Sequence, residues 1–506
     1  MPTTYPFKNS IQKIFTAAKN WRRDKPRPPW SRKRKIVTTS VLLFLAHLVG
    51  ALTSLHAVMS DRSSQGAIAW VVSLNTFPYV AVPAYWVLGK SEYDGYVKAY
   101  RSALEDPEKK LAEVYEYVRK NEVGSNDDEE RSLVEKLKGL PYTTGNKLEL
   151  LIDGRATFKA MTEAIESAKS YVLFQFYIIR DDELGQHFKD LLIKKASQGV
   201  KIYFLFDRLG SRKLSNAYQQ QLIEAGVEVA SFGHLDKGTG IFQINFRNHR
   251  KVVVIDGQKA LVGGLNIGNE YLGLSEEFGD WRDTHIAISG PAAMEAQLSF
   301  LEDWKWASGE WLDLNWKTAA NPEGDAVAIT IATGPADKFE TAEMLILQAI
   351  NSAKKRVWIS TPYYVPNSAI VAALELAALK GVDVRILLPD KTDNKLVSFA
   401  ANTYFEQSMR TGVRFFKYSN GFMHSKTILV DDNYSIVTSA NLDNRSLRLN
   451  FEIFALLRDQ EFNRKMEQMY LNDFAASHEL PKDVFSSMPI WYRLASRLAR
   501  LTSPVL

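Results

Sequence analysis

The chain has 506 residues, long enough for two or three domains. It contains no cysteine, which excludes disulfides and cysteine chemistry and fits a reducing compartment. Its net charge of +5 is unevenly spread: residues 1–35 hold eleven Lys or Arg against one acid, a balance of +10, so the rest of the chain sums to −5 and shows no basic stripe for nucleic acid.

Behind this basic start, Ile36 to Met59 and Gly66 to Gly89 carry no formal charge, and each is longer than the roughly 20 residues that cross a bilayer. The first is too long for the apolar part of a signal peptide, and the second follows at once, so the pattern predicts two transmembrane helices. The positive start stays on the cytoplasmic side, and two crossings return the chain to that side. His47, mid-span, is expected to be a neutral side chain packed against the partner helix. Pro78 and Pro83 leave two readings of the second span: a kink, or a cytosolic exit lined by Tyr79, Tyr85 and Trp86.

Glu92 to Leu140 is highly charged, with an acidic cluster at Asp127-Asp128-Glu129-Glu130, and predicts a solvated helical linker. A globular α/β pattern follows from about Pro141. Thr157 to Lys169 predicts a helix, Tyr171 to Ile179 a buried strand, Glu183 to Ser197 a helix closed by Gly199, and Val200 to Phe206 a strand. The order then recurs: Ala349–Lys354 mirrors Ala164–Lys169, Val357–Ser360 repeats the strand, and Gly381–Arg385 mirrors Gly199–Tyr203. The chain therefore reads as an internal duplication, with halves at 141–320 and 321–506 and one active site at their junction. Between the halves, Trp304, Trp306, Trp311 and Trp316 are expected to pack in the core or at the boundary. The tail from Trp491 to Leu501 is basic and amphipathic, and both lipid binding and docking onto the domain fit it.

Each half carries one polar constellation. His249-Arg250-Lys251-Val252-Val253-Val254-Ile255-Asp256 recurs as His424-Ser425-Lys426-Thr427-Ile428-Leu429-Val430-Asp431. In both copies an Asn lies ten residues past the Asp (Asn266, Asn441), and a Glu eleven past the Asn (Glu277, Glu452). The apolar runs predict buried strands, so His249 and Lys251 share a face, as do His424 and Lys426, while Asp256 and Asp431 point elsewhere as orienting groups. A His and a Lys on one face suit an anionic oxygen cluster. Asn266 and Asn441 add amide donors, and Glu277 and Glu452 are candidates to fix a His tautomer. The chemistry that fits is displacement at phosphorus through a covalent histidine intermediate, with one His attacking and the other acting as acid and base. A metal site does not fit, because Lys is not a usual ligand and no H-E-x-x-H occurs; no cofactor is expected.

These residues resemble the double H-K-D motif of the phospholipase D superfamily. The flanks Arg247–Lys251, Gly263-Gly264-Leu265-Asn266-Ile267-Gly268, Trp281-Arg282-Asp283-Thr284-His285, Asn441–Ser446 and Asn450-Phe451-Glu452 are similar to bacterial cardiolipin synthases. One departure stands out: the usual G-S-x-N is Gly263-Gly264-Leu265-Asn266 in the first copy and Thr438-Ser439-Ala440-Asn441 in the second, so a phosphate contact from that hydroxyl falls to Ser439 alone. The resemblance implies an α/β fold of duplicated phospholipase D-like domains with a shared active site. It implies a membrane-bound phosphatidyltransferase that joins two phosphatidylglycerols into cardiolipin and releases glycerol. Its partners are membrane phospholipids and the bilayer, not nucleic acid. His249, Lys251 and Asp256 with His424, Lys426 and Asp431 are the implied catalytic sets. His249 is favoured as nucleophile because Arg247 and Arg250 flank it. Hydrolytic phospholipase D activity is the first alternative within the superfamily, and a phosphodiesterase or nuclease, opposed by the anchors and the −5 balance, is the second.

Overall fold

The computed structural model describes residues 32–59, 64–88, 129–233 and 246–503. The basic start up to residue 31 and most of the predicted linker lie outside them. The chain divides into two units, Met1–Glu92 and Tyr93–Leu506.

In the first unit a helix spans Arg32–Met59, and its Ile36–Met59 stretch is the one described helix long and apolar enough to cross a membrane. The second predicted span is not one continuous helix. It is broken at Phe77 into helices Ser64–Thr76 and Pro78–Leu88. The cause is Pro78, which has no N–H to return to the Leu74 carbonyl four residues back. That carbonyl turns toward the first helix at Gly50, where a Cβ would stand 2.2 Å from it. Nearby, Asn75 Nδ2 donates to Ser54 Oγ at 2.7 Å. His47 does not pack against the partner helix: it is exposed, and its Nδ1 bonds to the Leu43 carbonyl of its own helix. The interhelical histidine is His56, whose Nδ1 lies 2.8 Å from the hydroxyl of buried Tyr85.

The second unit is built on one continuous mixed sheet. Across the first half the order is Glu228–Phe232, Lys201–Asp207, Tyr171–Phe176, Val252–Ile255, Lys259–Gly263, Thr284–Ser289 and Thr143–Ile152. It continues as Ala326–Thr333, Asn450–Arg458, Tyr434–Thr438, Thr427–Val430, Arg356–Ser360, Asp383–Pro389, Arg414–Tyr418 and Ser477–Glu479. The second series repeats the first in reverse, about a seam where Thr143–Ile152 pairs antiparallel with Ala326–Thr333. In each half three successive strands toward the edge are parallel with helical crossovers, as between Tyr171–Phe176 and Lys201–Asp207 or Arg356–Ser360 and Asp383–Pro389, and Ser477–Glu479 closes the second half antiparallel to Arg414–Tyr418. The predicted helix Glu183–Ser197 is present with those limits.

One hydrophobic layer is shared by the halves, joining Leu173, Val254 and Phe300 to Trp358, Leu429 and Ala455. Each half also has an outer core, around Phe174 and Phe188 in the first and Ile359 and Phe405 in the second. The indole cluster belongs to this packing. Trp304 is buried in the shared layer, Trp306 is buried beside Phe451, and Trp311 and Trp316 pack on partly buried.

Candidate active site

The two motifs occupy equivalent places in the repeat. Val252–Ile255 and Thr427–Val430 are four-residue buried strands, each forming a hairpin with the next strand. Each His lies just ahead of its strand. Before it, a two-residue strand crosses to the other half: Arg247–Asn248 runs parallel to Asn450–Phe451, and Phe422–Met423 runs parallel to Trp281–Arg282. The His249 N–H donates to the Phe451 carbonyl at 2.9 Å, and the His424 N–H to the Arg282 carbonyl at 2.7 Å.

This exchange gives each imidazole a carboxylate from the opposite half. His249 Nδ1 is 2.9 Å from Glu452 Oε2, and His424 Nδ1 is 2.7 Å from Asp283 Oδ2. A carboxylate acceptor puts the proton on Nδ1 and leaves the Nε2 lone pair free; at His424 the Nδ1 also stands 2.8 Å from Lys426 Nζ, with the Asp283 carboxylate the nearer of the two at 2.7 Å. Lys251 Nζ donates to the His249 carbonyl at 2.5 Å, and Lys426 Nζ bonds to the His424 carbonyl, so both ammonium groups are folded against their own histidines. The rings are flanked by aromatics, with Tyr177 5.0 Å from His249 and Trp281 5.0 Å from His424, centroid to centroid.

Burial sets the proton affinities. It pushes His249 down, against the pull of Glu452. It also pushes His424 down, to about 3, helped by Lys426. Burial lowers Lys251 well below its usual range and Lys426 to about 8. Burial alone would raise Asp283, but Lys426 and His424 hold it at about 2. Glu452 is likewise held below its ordinary value by His249 and Lys251 against the effect of burial. Lys426 acts on His249, and Lys251 on His424, so the two sets form one electrostatic unit.

Several predicted site residues stand elsewhere. Glu277 is exposed, and the structure does not bring it to either histidine. Its place is taken by Asp283. Register shows why: Gly263 pairs with His285, and Thr438 with Phe454, so Asp283 is the counterpart of Glu452. The first copy has six more residues between the Asn and this carboxylate, and Glu277 fell at the right spacing by coincidence. The flank Trp281–His285 was visible in the sequence; the role of Asp283 within it was not.

Asp256 and Asp431 are not in the cluster around the histidines. They sit past the far ends of their strands with left-handed φ of 52° and 47°. Asp256 accepts the N–H groups of Lys169, Ser170 and Tyr171, all at 2.8 Å. Asp431 accepts those of Lys354, Lys355 and Arg356. Each carboxylate thus ties the motif hairpin to the start of the neighbouring strand.

Asn266 is buried, accepting from the Ile178 N–H at 3.1 Å and donating to the Tyr271 hydroxyl at 3.2 Å. Asn441 is buried with its Oδ1 unpaired among the described residues. Ser439 faces Glu452: its Oγ donates to Oε2 at 2.5 Å and accepts from the Ile453 N–H at 3.0 Å. In the first copy Gly264 stands at the position of Ser439, and a Cβ there would lie 2.0 Å from Asp283 Oδ1. The missing serine is therefore a consequence of the closer approach of Asp283. Arg250 is also internal, donating to the Glu452 and Thr333 carbonyls and pairing with Asp303 at 2.8 Å, so it does not flank an anion beside His249. Asp303 further accepts from Gln175 and Asn248, and Asp207 accepts the Asn248 N–H, which fixes the residue preceding His249. Sequence reasoning missed this support, because nothing in the spacing links residues so far apart.

The groups present can hold a phosphodiester between two neutral imidazoles and two lysines. Among the described residues no cluster of His, Cys, Asp and Glu is arranged for a metal ion.

Residues 161–300 and 346–474 match the family described as cardiolipin synthase, PLD-like domain. Cardiolipin synthase A of Pseudomonas fluorescens (strain SBW25) is 43% identical over 464 residues, 91% of this chain and 97% of that protein. Cardiolipin synthase A of Pseudomonas entomophila (strain L48) is 42% identical over 469 residues, covering 92% and 98%. Among solved structures, phosphatidylserine synthase of Haemophilus influenzae superposes with a TM-score of 0.58 at 17% identity, over 75% of this chain and all of that one, a likeness of fold.

Proposed function

The chain belongs to the cardiolipin synthases built on phospholipase D-like domains, and on that premise we propose that it transfers a phosphatidyl group from one phosphatidylglycerol to another through a phosphohistidine. Its activity is that of a cardiolipin synthase, a phosphatidyltransferase acting on phospholipids. The observation that supports the proposed route is the pair of histidines, each turned by a carboxylate from the opposite half so that its Nε2 is free.

In the first step His249 Nε2 attacks phosphorus of the donor lipid. The bond from phosphorus to the headgroup glycerol oxygen breaks, and His424 protonates the leaving alkoxide. The bound phosphodiester anion raises the proton affinity of His424, which burial and Lys426 depress in the empty site, so the acid form is available when substrate is present. In the second step His424, now neutral, takes the proton of the acceptor's headgroup hydroxyl. That oxygen attacks phosphorus and the N–P bond to His249 breaks. Lys251, Lys426, Asn266 and Asn441 are assigned to the equatorial oxygens. Glu452, with Ser439 behind it, and Asp283 hold the imidazoles.

The reading includes a multi-pass inner-membrane anchor with the catalytic unit on the cytoplasmic side. The charge asymmetry around Ile36–Met59 supports it, together with the pairing of that helix with a second, Pro-kinked apolar segment. Purified enzyme on phosphatidylglycerol vesicles tests the reaction. Cardiolipin and glycerol are expected in equal amounts without added metal. Phosphatidic acid as the main product would make the enzyme a hydrolase.

A further inference from the structure

The C-terminal helix Ile490–Arg500 is docked by the wrong face for a soluble protein. Tyr492, Ser496, Ala499 and Ser503 form its inner stripe. Tyr492 OH accepts from Asn402 at 3.0 Å and its ring lies 4.7 Å from that of Phe399. Ser496 and Ala499 are buried, and Ser503 bonds to Tyr404 and Asn444. The large apolar residues are on the outside: Trp491, Leu494, Leu498 and Leu501 are 65%, 58%, 56% and 75% exposed. At 3.6 residues per turn the two stripes lie about 150° apart. All three arginines, Arg493, Arg497 and Arg500, fall on one flank between them, and the helix has no acid. Arg493 and Arg500 lean over Phe485 and Tyr404, so the flank is held in place.

A soluble surface rarely keeps such a stripe bare. Because the small and polar face is already seated on helix Lys395–Met409, rotation of this helix into its own domain would expose what is now buried. An apolar stripe beside a cationic flank complements one environment in both respects, the boundary between acyl chains and anionic headgroups. We propose that this helix is a second, interfacial membrane contact of the enzyme, with Trp491, Leu494, Leu498 and Leu501 among the acyl chains and the arginines at anionic phosphates. The proposal rests on the reading that the enzyme draws its substrates from a bilayer. It gives the catalytic unit an attachment separate from the N-terminal apolar helix.

The test uses the full chain, whose lack of cysteine allows single labels. Leu494→Cys carrying an environment-sensitive fluorophore is compared with Glu224→Cys in vesicles that contain phosphatidylserine and lipids with brominated acyl chains. The label at 494 should shift to the blue and be quenched, the label at 224 should do neither, and zwitterionic vesicles should weaken the effect. A label at 494 that stays in water in anionic vesicles overturns the proposal. So does shielding that appears without vesicles and grows with protein concentration, which would mark a contact with a second copy. In parallel, Leu494→Glu with Leu498→Glu should lower cardiolipin synthesis from vesicles roughly tenfold while turnover of a short-chain, water-soluble phosphatidylglycerol is kept. Equal loss on both substrates would make the helix a structural element and overturn its membrane role. If the unaltered enzyme fails on the short-chain lipid as well as on vesicles, the reading of the reaction fails, whatever the label reports.

Discussion

A neutral imidazole whose Nδ1–H is held by a carboxylate has one free site, Nε2, and both His249 and His424 are in that state. Removing the holder while keeping its shape should therefore damage chemistry before stability. Glu452→Gln and Asp283→Asn are each expected to lower kcat by about 10²–10⁴, the range for losing acid–base function, with little change in thermal midpoint. Glu277→Gln, on the exposed loop, should leave kcat unchanged, and a large loss there would contradict the assignment. The charges also set pH limits. Lys426, lowered by burial to about 8, loses its proton on the alkaline side, so kcat/KM should fall above about pH 8. For His424 the unfolded chain binds a proton near 6.5 and the folded empty site only near 3. Between those values the unfolded state holds more protons, so this residue's contribution to stability is full above 6.5 and is lost as pH falls toward 3. Melting curves across that window check the sign.

The motif strand is an element with chemistry at one end and an anchor at the other. Asp256 spends its carboxylate on three backbone N–H groups and adopts a left-handed φ that Asp tolerates better than most residues. Asp256→Ala is expected to cost about 1.5–3 kcal/mol of stability, the scale of hydrogen bonds to a charged group. Asp256→Asn should cost less, and kcat per folded molecule should change little in either. A kcat loss comparable to that of a His variant, at unchanged stability, would return Asp256 to the chemistry. This element shows how much the sequence discloses. Two-residue alternation put His249 and Lys251 on one face of a strand, but the strand is Val252–Ile255 and both stand ahead of it, while Asp256 lies just past its far end. Equal spacing found Glu452 but chose Glu277 over Asp283, because loop length between strands is not fixed by the pairing that aligns them. Arg250, Asp303 and Asp207 were out of reach, since their contacts cross from 41 to 202 positions along the chain. The break at Phe77 was legible as Pro78, although its accommodation at Gly50 was not.

The duplication explains why both motifs are kept. Each half lacks the carboxylate its own histidine needs, and the continuous sheet delivers it. The second unit is therefore expected to act only as one piece, tethered to the membrane by its N-terminal apolar segment. Single cysteines locate that tether: one near Ser63 should react with an impermeant reagent in intact cells, and one near Asp127 should be protected. The reverse pattern would place the catalytic unit outside. The two motifs are proposed to make one site in which His249 carries the phosphatidyl group and His424 handles the proton. The direct measurement is mass analysis of peptides from His424→Ala enzyme quenched after exposure to a phosphatidyl donor with a good leaving group. A phosphatidyl adduct is expected on the peptide containing His249. An adduct on His424 in the unaltered enzyme would reverse the roles, and no adduct in either protein would contradict the covalent route.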